Sequence, residues 1–284
     1  MSLSPTIFDR ALLRARQQRA RASGAETFLL DRVASELVER LSAVLRQFER
    51  AADIGTPTDV LRGALAGKAG SIEHIEIGDD DVIPVAVASL NLAVSVLALQ
   101  FVNDLPGALV QIRRALKPDG LFLAALIGGE SLTELRQAFA QAESEIEGGL
   151  SPRVAPFADL RDLGALLQRA GFALPVIDSE RLTVRYDTVF DLMHDLRRMG
   201  ATNALAERRR APLRRKTLLR MAEIYAERFA DPDKRLRATF EVVWLSGWAP
   251  DPSQQKPLKP GSAKTRLADA LNVKEISAGE KPRP

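Results

Sequence analysis

The stretch Leu90-Asn91-Leu92-Ala93-Val94-Ser95-Val96-Leu97-Ala98-Leu99 is nearly all apolar, and it decides the fold. A run of this kind is expected in a strand buried on both faces, lying centrally in a sheet. Just beyond it, Asp104 stands where a helix cap belongs, and Leu105, Leu109, Ile112 and Leu116 form a helical stripe. Lys117-Pro118-Asp119-Gly120 is a turn by residue type. It feeds a second apolar strand, 121–127, that stops at Gly128-Gly129.

Upstream, Leu30, Val33, Leu37, Leu41, Val44 and Phe48 recur at helical spacing, so residues 26–48 are expected to pack one helical face. Arg50-Ala51-Ala52-Asp53-Ile54-Gly55 follows as a short buried strand ending at a glycine. Ile75 and Ile77 flank Glu76 in another strand, which ends at Gly78-Asp79-Asp80-Asp81. Downstream, amphipathic helices are expected at 131–146, 159–170, 189–199 and 213–229. Alternation marks a strand at 182–186, and a last strand spans 240–248. Strands alternating with helices predict an α/β fold with a mostly parallel sheet covered on both faces, closed by an antiparallel strand.

Composition narrows the function classes. The 284 residues suit one large domain or one domain plus an appendage, and 46% hydrophobic content is ample for a core. We expect a main domain over 1–249, with N-terminal helices in 1–48 and a helical insert or cover at 187–235. A poorly ordered tail is expected over 250–284, with a helical turn near Leu267. The absence of cysteine removes disulfides, thiolate nucleophiles and sulfur-ligated zinc. No apolar run reaches the ~18 residues needed to span a bilayer, so a soluble protein is expected. The Arg-rich start lacks the Ser enrichment of a transit peptide.

Forty basic and 37 acidic residues leave a net charge of +3, mixed in sign, and no nucleic-acid partner is expected. Local excess sits at Arg10, Arg14, Arg16, Arg19 and Arg21, and from Arg208 to Arg220. Each is either a solvated helix face or a patch for an acidic partner or a peripheral membrane contact. His74 and His194 stand 120 positions apart on separate elements, which argues against a histidine triad or metal site. The carboxylate clusters lack metal-ligand spacing. Ser131 is either the cap of the helix it opens, with Glu134 as box partner, or part of a substrate-side lip.

Several strings carry a resemblance. They are Ile7-Phe8-Asp9-Arg10, the run from Leu90 to Pro106 with Phe101-Val102-Asn103-Asp104, and Leu116-Lys117-Pro118-Asp119-Gly120. Gly128-Gly129-Glu130-Ser131-Leu132-Thr133-Glu134-Leu135-Arg136, Ser151-Pro152-Arg153-Val154-Ala155-Pro156-Phe157, Gly247-Trp248-Ala249-Pro250 and Gly261-Ser262-Ala263 complete the set. Together they resemble the methyltransferase-like assembly-factor family of respiratory complex I in its alphaproteobacterial form. A more distant likeness is to the malonyl-carrier-protein methyltransferase of biotin synthesis. The likeness covers most of residues 7–263.

This resemblance implies a class I S-adenosylmethionine-dependent methyltransferase fold, Rossmann-like, with seven strands and the cofactor over the strand C-terminal ends. It also implies a protein partner, either a complex I subunit or an acyl carrier protein. The mitochondrial relative is implicated in hydroxylating an arginine of a complex I subunit. The implied compartment is a bacterial cytoplasm, or the mitochondrial matrix for a eukaryotic source.

The cofactor loop departs from the family's acidic residue followed by Gly-x-Gly-x-Gly. Asp53 and Gly55 are kept, but Pro57 and Asp59 occupy the second and third glycine positions. Proline fixes φ and removes a donor, and an aspartate there opposes the cofactor's carboxylate. Between Gly55 and Ile75 there is room for one helix, 59–65, and little else, so the strand that holds the ribose is expected to be deleted. The positions the resemblance assigns to S-adenosylmethionine are Asp53, Gly55 and Thr56 in the loop, Asp79 and Asp80 at the adenine end, and Leu97 and Gln100 in the wall beneath. Read without it, Asp53 is a loop cap and Asp79 to Asp81 an ordinary acidic turn. No catalytic base is nominated, since methyl transfer needs little beyond alignment. Two functions follow: an enzyme modifying a protein substrate in complex I assembly, or a non-catalytic assembly factor that no longer binds the cofactor.

Overall fold

The computed structural model of the chain describes residues 6–255, 262, 265, 269 and 271–274. The helical turn expected near Leu267, and most of the tail expected beyond 250, lie outside the described residues. Two compact units make up the chain, Met1–Pro250 and Asp251–Pro284.

The first unit opens with α1 (Arg10–Ala22) and α2 (Phe28–Ser42), then β1 (Phe48–Ile54), α3 (Val60–Ala64) and β2 (Ala69–Ile75). After β3 (Leu90–Val96) and a 3-10 turn at Leu99–Phe101 come α4 (Leu105–Ala115), β4 (Leu116–Ile127), α5 (Thr133–Glu147) and α6 (Leu160–Arg169). The unit ends with β5 (Ala173–Tyr186), α7 (Val189–Arg198), α8 (Arg215–Phe229) and β6 (Leu236–Trp248). The six strands form one sheet in the order β2-β1-β3-β4-β6-β5. The first four are parallel; β6 runs antiparallel between β4 and β5.

Strand alternation feeds two apolar layers. Leu92, Val94 and Val96 of β3, with Leu121, Leu123 and Ala125 of β4, face the layer under α2, α5, α7 and α8. Ala93, Phe122, Ala124 and Leu126 point to the opposite layer, under α4 and α6. Both faces are dry, which is why these strands read as continuous apolar runs rather than as alternating ones.

Several boundaries differ from expectation. The stripe through Phe48 is shared: α2 stops at Ser42, and Phe48 starts β1. Lys117-Pro118-Asp119-Gly120 lies inside β4, whose register against β3 shifts between Leu90 and Leu92. β5 is much longer than 182–186 because its pairing with β6 carries polar residues such as Asp178, Ser179 and Glu180 into the sheet.

The largest correction concerns the cofactor half. Seven strands were implied, with the strand beside β1 deleted. That place is filled: Ala69–Ile75 pairs in parallel with β1 along its whole length, and residues 76–89 then cross to β3 without a helix. Among the described residues the sheet is therefore one strand short at its outer edge, leaving β2 as the edge strand. The apolar signal at Ile75 and Ile77 marked only the end of β2, because an edge strand with exposed Ser71, Glu73 and His74 has no buried face to advertise it.

Candidate functional site

The C-terminal ends of β1, β2, β3 and β4 converge below α1 and the end of α7. Gly55 leaves β1 at φ 72°, a backbone state that costs other residues energy. A Cβ there would lie 2.9 Å from Cδ1 of Ile77 and 3.2 Å from Cβ of Ala98, so the chain's own side chains lie against its open side. Thr56 is buried and its Oγ1 accepts the Val96 N–H at 3.1 Å, tying the loop to β3. Ser95 strengthens the same seam by donating to the Ile54 carbonyl at 2.7 Å.

Asp53 is fully buried beneath this loop. Its Oδ2 receives Arg62 Nη1 at 3.2 Å and faces His74 Nδ1 at 3.4 Å, while Oδ1 has no hydrogen-bond partner. Burial pushes its carboxyl above the ordinary value, against the pull of Thr56, His74 and Arg62. Arg62 also pairs with Asp59.

The acidic turn divides its labour. Asp79 is exposed and pairs with Arg14 of α1. Asp80 accepts the Val82 N–H at 3.2 Å within its own turn. Asp81, which the sequence did not single out, does the structural work. At φ 61° and nearly buried, it accepts the N–H groups of Asn103 and Asp104, each at 2.8 Å, through Oδ2. Its other oxygen lies 3.8 Å from Arg10 Nε.

α1 is fastened across this face along its length. Asn103 Oδ1 accepts the N–H groups of Ile7 and Phe8 at 2.8 and 2.7 Å. Arg10 donates to the carbonyls of Ile77 and Phe101, both at 3.3 Å. Arg16 reaches the Thr202 carbonyl at 2.9 Å, and Gly200, at φ 69°, lets the chain pass against Gln17.

Two recesses result. A polar cleft of about 70 Å³ is lined by Gly55, Thr56, His74, Glu76, Asp79 and the α1 residues Arg10 and Arg14. An apolar cavity of about 110 Å³ is lined by Leu97, Gln100, Ile127, Leu132, Phe157 and Phe240. The two share Gln17, Arg21, Pro57 and Phe101. A second apolar cavity of about 210 Å³ adjoins through Phe157 and Leu196. Gly55, Thr56 and Asp79 thus meet on the cleft, and Leu97 and Gln100 meet on the cavity, where Gln100 Nε2 donates to the Leu97 carbonyl at 2.8 Å. Asp53 lies beneath and Asp80 to one side; neither lines a recess.

Ser131 does not cap α5. The N-cap is Leu132 with no side-chain bond, and Ser131 Oγ instead accepts the Glu241 N–H at 2.8 Å. Glu134 accepts from the N–H and hydroxyl of Thr239 at 3.1 and 2.6 Å, so no box forms. Ser131 pins the 128–132 loop to β6 and Glu134 pins the first turn of α5 to it, and Ser131 and Leu132 border the apolar cavity. The Ser151–Phe157 segment is set by Glu143, whose buried carboxylate takes the Ser151 N–H at 2.7 Å and Arg153 at 2.6 Å. Burial works against that charge, but Ser151 and Arg153 outweigh it and hold the carboxyl below its usual range.

The basic cluster from Arg208 to Arg220 is largely compensated from within. Arg209 and Arg214 pair with Glu147 at 3.1 and 3.5 Å, Arg220 with Glu145 at 2.6 Å, and Arg208 with Asp9 at 3.1 Å. Among the described residues no helix is long and apolar enough to cross a membrane, and no three His, Asp or Glu residues gather as a metal site.

Comparison with known proteins agrees with this fold. Residues 34–124 match the methyltransferase-domain family. The mitochondrial arginine-hydroxylase NDUFAF5 of Danio rerio is 34% identical over 297 residues, covering 96% of this chain and 92% of that protein. A malonyl-[acyl-carrier protein] O-methyltransferase of Xylella fastidiosa is 40% identical over 61% of this chain and 56% of its own length. Among solved structures, the YcgJ protein of Bacillus subtilis superposes with a TM-score of 0.52 at 13% identity, covering 76% of this chain and 98% of that one, which speaks for the fold alone.

Proposed function

This chain belongs to the family of the arginine-hydroxylase NDUFAF5, within the S-adenosylmethionine-dependent methyltransferase superfamily, and from that premise we propose that it serves respiratory complex I assembly by holding a protein partner at the strand-end face, its nucleoside cleft closed. The observation that carries this reading is the polar cleft. Its volume is about 70 Å³, against roughly 300–1,000 Å³ for sites that enclose ligands of cofactor size. Arg14 holds Asp79, and Ile77 lies over Gly55. Pro57 offers no N–H, and Asp59 is already paired with Arg62. The residues present do not fit S-adenosylmethionine.

Thermal unfolding with and without S-adenosylmethionine and its demethylated product is the test. A ligand at a hundredfold excess over its dissociation constant stabilises the fold by about 2.7 kcal/mol; no shift is expected from either compound. In cells lacking the chain, complex I activity should fall and be restored by a Gly55→Arg variant. A clear shift with either compound, or failure of that variant to restore activity while folded, would sink the reading.

A second reading, an enzyme that modifies its partner, draws on the shared wall of the two recesses. Gln17, Arg21, Pro57 and Phe101 border both, so a small co-substrate in the cleft would meet a side chain in the cavity. Mass spectrometry of the partner isolated from cells with and without the chain would reveal a group added by it.

A further inference from the structure

α1 carries Arg10, Arg14, Arg16, Arg19 and Arg21 and no acidic residue in its 13 positions. Arg10, Arg14 and Arg16 are engaged by Asp81, Asp79 and backbone carbonyls. Arg19 and Arg21 are exposed and have no acidic partner among the described residues, and the same holds for Arg197 of α7; Arg210, by contrast, acts on the Asp9 carboxylate. The field is felt inside the cluster: besides burial, the nearby Arg208 and Arg19 push the Arg16 guanidinium down. Two of these uncompensated charges border the recesses, and Arg19 lies two positions from one of them on α1. Arg21 lines both the polar cleft and the apolar cavity, and Arg197 lines the second apolar cavity.

We propose that this face is the docking surface for an acidic segment of a partner protein, its carboxylates meeting Arg19, Arg21 and Arg197 while an apolar side chain enters the cavity behind α1. The proposal rests on the reading that the chain handles a protein partner, and it adds that partner's chemistry. Asp79 and Glu26 at the recesses are paired with Arg14 and Arg198, so the unpaired arginines leave an excess of positive charge there. Such an excess beside a low-dielectric recess steers and registers a ligand of opposite sign. An anionic membrane is the lesser match. Binding in a lipid interface needs apolar side chains to insert, and α1 exposes no large apolar side chain. The cavities behind it supply the apolar component in concave form instead.

The test uses the full chain and a fluorescein-labelled peptide of repeated Asp-Glu-Leu triplets, followed by anisotropy, with phosphatidylglycerol vesicles as a parallel probe. The peptide should bind at low salt and weaken as salt rises. The pair R19E/R21E should lower peptide affinity about tenfold or more, as expected for reversing charges in a steering patch. R215E/K216E, an equal change of net charge on α8, should leave it within about twofold. The milder R19Q/R21Q, with circular dichroism on every variant, guards against a folding defect and should give an intermediate loss. Equal losses in the α1 and α8 variants would overturn the proposal. So would absence of peptide binding, or vesicle binding that needs Arg19 and Arg21 while the peptide is ignored. None of these outcomes touches the cofactor titration, so the two readings fail separately.

Discussion

His74 Nδ1 lies 3.4 Å from Oδ2 of Asp53 at the ends of two neighbouring strands. The parallel register of β1 and β2 sets Asp53 opposite His74, and Arg62 of α3 reaches the same oxygen. Two histidines far apart in the chain gave no hint of this contact, which joins one of them to the loop's acidic residue.

Because burial raises the Asp53 carboxyl above 3.8 in the folded chain, the folded state binds its proton at higher pH than the unfolded state does. Stability from this group therefore falls as pH rises from the ordinary value through the folded one, and is lowest above it. Asp53→Asn should melt higher than the parent at pH 7, with the gap narrowing as pH drops toward 4. Melting curves across that range check it; a variant that melts lower at pH 7 would mean the Arg62 and His74 contacts outweigh the burial cost.

Glu143 has the opposite sign. Its carboxyl is held below the usual 4.5, so its contribution is complete above that value and is lost as pH falls through the folded one. Glu143→Ala leaves Arg153 without its carboxylate and should cost about 3 kcal/mol in urea unfolding at pH 7. The difference from the parent should shrink in acid.

Asp81→Ala strips the acceptor from two backbone N–H groups and the opposite charge from Arg10. A loss of about 2 kcal/mol is expected for donors left unsatisfied. The more telling readout is trypsin cleavage within α1, which should quicken as the helix loosens from its anchor.

Gly200→Ala tests the other end of α1. The added Cβ would sit 2.8 Å from the Cα of Gln17, at a φ of 69°. Strain and overpacking together should cost roughly 1–3 kcal/mol, measured by denaturant unfolding. An unchanged midpoint would show that α1 yields freely.

Much of the fold was legible along the chain. Both faces of β3 and β4 are dry, so their apolar runs stand out, and Asp104 caps α4 as its type suggests, accepting the Gly107 N–H at 2.9 Å. The site was legible only as positions. Gly55, Thr56 and Asp79 do share a cleft, but Asp80 lies aside and Asp81, their neighbour, carries the structural bonds. Ser131 illustrates the limit: its type and spacing suit a cap, yet Glu241 on a strand far along the chain captures its hydroxyl.

By itself, the sequence determined the alternation of strands and helices, the layer that each apolar residue would seek, and the family signature in its long middle strings. Those properties reside in contiguous residues, through periodicity, caps and turn types. Only the tertiary structure decided that β2 fills the place beside β1, that Arg14 covers Asp79, and that His74 meets Asp53. Such pairings depend on strand register and on how a helix crosses the sheet, and neither quantity is written in any local stretch of chain.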